Sequence, residues 1–123
     1  MRSTSKSANQ KLVTIKARLL EGMRDYLANS DDAGYTKTDI KKCDKILQEF
    51  VKHLGKLGSA ASKLAVLACV KQAVLDLNAL NNSVNGSLIE TDQREDLCEY
   101  LLLTARSAGL NQEGDPTEEW REW

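Results

Sequence analysis

Proline occurs once in the 123 residues, at Pro116, and the glycines cluster between segments of regular apolar spacing. A proline inside a helix removes a hydrogen-bond donor and collides with the preceding turn. A chain almost free of it, with apolar residues three and four apart, is predicted to fold as uninterrupted helices. The fold class is therefore all-α: four main helices, the apolar third one at the centre, plus a short C-terminal helix. The whole of 1–123 reads as one helical domain, with residues 1–6 disordered. Hydrophobic residues make up 41% of the chain, enough for a single core without a metal or disulfide staple.

The first helix is predicted from about Ser7 to Asn29, with Leu12, Ile15, Leu19, Met23, Tyr26 and Leu27 on one face. Asn29 to Gly34 offers side chains that compete for the backbone, and a glycine free to take positive φ, so the helix stops there. Thr36 or Thr38 can cap the second helix, whose stripe is Ile40, Cys43, Ile46 or Leu47, Phe50, Val51, Leu54 and Leu57. Gly55 to Ser59 then supplies a stop and a serine cap. The third helix, from about Ala60 to Leu80, is apolar on nearly every side. Lys71, Gln72 and Asp76 interrupt it too often for a membrane span, which makes it the expected core helix.

A fourth helix is expected from about Thr91 to Ala108. Asp92 and Glu95 stand in capping-box relation, Leu97, Cys98, Leu101, Leu102 and Ala105 form the buried stripe, and Gly109 with Leu110 fits a Schellman end. Asp115-Pro116-Thr117-Glu118 has the order of cap, first-turn proline and acid that starts a further short helix. Cys43, Cys69 and Cys98 form no Cys-x-x-Cys pair and leave an odd thiol, so they read as buried small hydrophobes in a reducing compartment. The polar start MRSTSKSANQ carries no signal-type apolar run, and a cytoplasmic protein with no membrane partner is expected.

Charge is divided along the chain. Residues 1–63 hold 13 Lys plus Arg against 7 Asp plus Glu, and residues 64–123 hold 4 against 11. These charges first of all mark solvated helix faces. Among them Glu90, Asp92, Glu95, Asp96 and Glu99 form the most concentrated group. Carboxylates in a first turn complement the helix dipole by about 0.3–1 kcal/mol each, which explains Asp92, Glu95 and Asp96 better than Glu90 or Glu99. The surplus is available to a basic partner. Glu118 and Glu119 flank Trp120 in a second acidic stretch, where Trp120 and Trp123 are expected to anchor the chain end to its own core.

No catalytic apparatus is legible. His53 is the lone histidine, and as a cation it would complement its own helix end. No Cys/His spacing matches a zinc site, and Gly55 to Ser59 lacks the order of a phosphate loop. No metal, cofactor or catalytic residue is therefore expected. Nucleic acid is disfavoured as a partner despite the N-terminal lysines, because the helix after Gly58 is too apolar for a recognition helix and the sequence pI is about 5.8.

The segments Thr91-Asp92-Gln93-Arg94-Glu95-Asp96-Leu97-Cys98, Ala105 to Leu110 and Gly114 to the Trp120-Arg121-Glu122-Trp123 ending resemble small bacterial immunity proteins of contact-dependent growth inhibition and related polymorphic toxin systems. The similarity is clearest over the last third of the chain. It implies a cytosolic protein that binds the C-terminal domain of a delivered toxin, often a nuclease with a basic groove, and covers its active site. The expected contacts are Glu90, Asp92, Glu95, Asp96 and Glu99, then Glu118, Glu119 and Trp120. A helical adaptor or regulator is the alternative expectation, with a nucleic-acid-associated version of it as a third.

Overall fold

The computed structural model describes residues 2–58 and 61–123, with side chains described from residue 9 onward. Four helices, α1 (Arg2–Asn29), α2 (Lys37–Leu57), α3 (Lys63–Ser83) and α4 (Thr91–Ser107), precede a 3₁₀ turn at Pro116–Glu119. The fold is an all-α bundle. α1 lies chiefly against α4 and α2 chiefly against α3, with fewer contacts between α1 and α2 or between α3 and α4. The core is continuous: Ile15, Leu19 and Met23 of α1 meet Cys43, Leu47 and Phe50 of α2, Val66, Val70, Val74 and Leu77 of α3, and Leu97 and Leu101 of α4.

Local chemistry sets the helix ends. Thr36 caps α2, its N–H donating to the Asp39 carboxylate at 2.9 Å. α4 ends in the expected Schellman arrangement: the Leu110 N–H reaches the Ala105 carbonyl at 3.0 Å and the Gly109 N–H reaches Arg106 at 3.0 Å, with Gly109 at φ 104°. Three other ends differ from the sequence reading. α1 begins at Arg2 and not near Ser7, since nothing in RSTSKS interrupts a helix already nucleated downstream. Ser62 caps α3 through the Ala65 N–H at 3.1 Å, while Ser59, the expected cap, lies outside the described residues. The capping box of α4 uses Glu90 and Gln93, the Glu90 N–H donating to Gln93 Oε1 at 3.2 Å, which displaces Asp92 and Glu95 from that role.

The predicted stripes also need adjustment at their edges. Tyr26 and Val51 face solvent, and Leu20 takes a core place on α1. Gly22 sits inside α1, where its missing side chain faces Gln93 of α4. α3 has an outward row, with Leu64 80% exposed and Leu75 41% exposed, so it forms one wall of the bundle like its neighbours. By length and composition alone α3 is sufficient for a membrane span, contrary to the sequence reading, and its Val66, Val70, Val74 and Leu77 are buried within the bundle.

Two connections are tied together at one end of the molecule. The amide oxygen of buried Asn81 accepts from the N–H groups of Leu88 and Ile89 at 3.2 and 3.0 Å, fixing the chain as it leaves α3 for α4. Gly34, at φ 85°, passes so close to Ser87 that an added Cβ would stand 2.7 Å from the serine Cβ. The α1–α2 connection therefore rests on the α3–α4 connection. Tyr35, in the same stretch, donates its hydroxyl hydrogen to the Met23 carbonyl at 2.9 Å.

Candidate functional site

The acidic residues singled out in the sequence fall into two differently built places. On α4, Asp96 and Glu99 point toward α1, where Arg18 meets them. The guanidinium donates to Asp96 Oδ1 from Nε at 3.0 Å and from Nη2 at 2.6 Å, and to Glu99 Oε1 at 3.3 Å. Its hydrogen bond to Asp96, then the charge of that carboxylate, then Glu99, raise the Arg18 pKa and keep it cationic. Two of the four α4 carboxylates thus have a partner 78 and 81 residues away in sequence. Glu90, Asp92 and Glu95 remain exposed and enter no ion pair among the described residues.

The C-terminal stretch is fastened to α3 by asparagine. Asn78 is buried and uses both ends of its amide, donating to the Trp120 carbonyl at 2.8 Å and accepting from the Glu122 N–H at 3.1 Å. Asn82, one turn further on, donates to the Glu122 carboxylate at 2.9 Å. A buried amide is retained when its donors and acceptors are satisfied, and here the tail backbone satisfies them.

Within the tail, Asp115 caps the 3₁₀ turn by accepting from the Thr117 N–H at 2.9 Å and from the Thr117 hydroxyl. Arg121 closes this unit: Nη2 donates to Asp115 at 3.1 Å, Nε to the Thr117 hydroxyl at 3.1 Å and Nη1 to the Trp123 carbonyl at 2.9 Å. Its guanidinium also lies 5.5 Å from the Trp123 ring centre, within cation–π range. Thr117 is fully buried, and Trp120 and Trp123 pack partly buried against the core. Both indoles therefore serve the anchoring role expected of them, on a 3₁₀ turn shorter than the helix the sequence suggested.

Fastening the tail creates an open groove of about 420 Å³ lined by Leu67, Pro116 and Trp120 together with Glu113, Asp115, Glu118 and Glu119. Asp115 is matched by Arg121, whereas Glu113, Glu118 and Glu119 have no ion pair among the described residues. The structure thus brings Glu118, Glu119 and Trp120 into one surface, adds Glu113 to them, and divides the α4 group. Arg18 and Asn78 were missed as organising residues. An amide set between Leu77 and Leu80 in the apolar run of α3 was the only sequence signal for Asn78, and Arg18 carried none.

Reactive groups are subdued. Burial pushes the Cys43 thiol up to about 12, and burial likewise raises Cys69 and Cys98, so all three stay protonated near neutral pH. His53 Nε2 is exposed and 3.8 Å from Glu49. Among the described residues no three His, Cys, Asp or Glu side chains converge as a metal site. No family model, curated protein or solved structure matches the chain.

Proposed function

We propose that the chain is a non-catalytic binding protein of the immunity type, which neutralises a delivered toxin domain by docking an acidic surface over its basic active-site groove. The observation that carries this reading is the groove at the tail. Glu113, Glu118 and Glu119 enter no ion pair among the described residues, and the half-buried Trp120 lines the groove beside them. Tryptophan is enriched at binding hot spots, and a surface already fixed by the Asn78 amide gives up little freedom on docking. Glu90, Asp92 and Glu95 extend the negative field and favour encounter with a basic partner. Asp96 and Glu99 take second place because Arg18 offsets them.

The test is co-expression of this chain with the terminal domain of a neighbouring secreted effector, scoring survival and co-purification. Rescue with a stable complex supports the reading, and failure of both removes it. In such a complex the double substitution Glu118→Lys and Glu119→Lys should weaken affinity at least tenfold and flatten its salt dependence, because both effects follow from loss of unscreened surface charge. Wild-type affinity and salt slope in a folded double variant would take the tail groove out of the interface.

A further inference from the structure

A second cavity lies between the C-terminal half of α1 and the start of α2 and shares no lining residue with the acidic tail groove. It measures about 640 Å³ and is lined by Arg24, Asp25, Leu27 and Ala28 of α1 and by Lys37, Ile40, Lys41 and Asp44 of α2. That volume lies in the range of small-molecule sites. Most of its exposed lining is apolar, from Leu27, Ala28 and the methylene stems of the long cations, with Ile40 itself almost wholly buried.

The charges around it are unequal. Asp44 is taken by Lys16 of α1 at 2.6 Å. Arg24, Lys37 and Lys41 enter no ion pair among the described residues, and only Asp25 on the same rim opposes them. An apolar trough with surplus cations at its edge suits a ligand with one anionic head and a hydrocarbon body. Lys37 and Lys41, one turn apart on α2, can face one anionic head together, and the apolar lining of Leu27, Ala28 and Ile40 lies beside them.

We propose that the α1–α2 groove binds a medium-chain organic carboxylate, its head group at Lys37 and Lys41 and its chain over Leu27, Ala28 and Ile40. The site is separate from the acidic tail groove, so its occupancy does not depend on the toxin-binding reading.

The test is a ¹⁵N NMR titration of the full chain with decanoate below its micelle concentration, with acetate and decyltrimethylammonium as comparison ligands. Saturable shifts centred on Leu27, Ala28, Ile40 and Lys41 are expected with decanoate, and binding at least tenfold weaker with acetate and with the cationic amphiphile. The double variant Lys37→Glu and Lys41→Glu should weaken decanoate at least tenfold. Ala28→Trp, at an exposed position of the trough, should abolish binding by filling it, and serves as the decisive variant if the charge reversal unfolds the chain. Absence of saturable shifts at these residues, equal binding of either comparison ligand, or wild-type binding by a folded variant would overturn the proposal.

Discussion

The seam between α3 and the tail and the seam between α1 and α2 are built on opposite terms. At the first, Asn78, Asn82, Asp115, Thr117 and Arg121 all find partners in the tail or in one another, so these polar groups close on themselves and leave an acidic groove at their edge. At the second, one ion pair, Lys16 with Asp44, crosses between the helices, and the trough beside it is lined by three cations that enter no ion pair among the described residues. A polar side chain therefore says little about function until its partner is known. Those with internal partners hold the fold, and those without them form the surfaces available to other molecules.

Breaking a closed region should cost most where buried backbone groups lose their only partner. Asn81→Ala strands the N–H groups of Leu88 and Ile89, at about 1–3 kcal/mol for each unsatisfied buried donor. A loss of about 2–4 kcal/mol in urea unfolding is expected; a loss below about 1 kcal/mol would mean that water replaces the amide. Gly34→Ala comes next. It combines positive φ with a collision at Ser87, for an expected loss of about 1–3 kcal/mol. The double change Gly34→Ala with Ser87→Gly should recover part of it, and no recovery would show that the close approach is not the cause. Asn78→Ala releases the Trp120 carbonyl and the Glu122 N–H, both near solvent, so about 1–2 kcal/mol is expected. A red shift of tryptophan fluorescence should accompany it.

The difference between the seams also explains which parts of the molecule were legible in the sequence. Helix existence, the Thr36 cap and the Gly109–Leu110 end depend on residues a few positions apart, and spacing alone predicts them. Ser62 as the α3 cap and Glu90 with Gln93 at α4 were displaced by one turn or less, because several nearby residues could serve and packing chose among them. Arg18 with Asp96, and Asn78 with Glu122, join residues 78 and 44 apart. No local pattern encodes such pairs. The acidic tail was legible as composition, but the groove that gathers it with Trp120 exists only once Asn78 fixes the tail.

Cys43 gives a pH-dependent contrast within the core. Its folded pKa of about 12 exceeds the ordinary value of 9.0, so its contribution is fully present below about pH 9 and is lost as pH rises toward 12. Burial raises Tyr35 and Tyr100 in the same direction. Stability should therefore fall progressively above about pH 9, and Cys43→Ala, although less stable at pH 7, should show a shallower alkaline decline. An identical slope in wild type and variant would mean that the thiol does not contribute.

The smallest effect on stability is expected at Arg18. Its ion pairs with Asp96 and Glu99 are the shortest bridge between α1 and α4, yet its side chain is 57% exposed. Exposed pairs are screened by water and salt and hold two flexible side chains at an entropic cost that offsets their attraction. Arg18→Ala should leave the urea midpoint within error of wild type at both low and high salt, while uncovering two more carboxylates on α4. Should the midpoint fall as far as for Asn78→Ala, the α1–α4 surface would belong with the closed seam, and its acids would be part of the fold instead of part of a docking face.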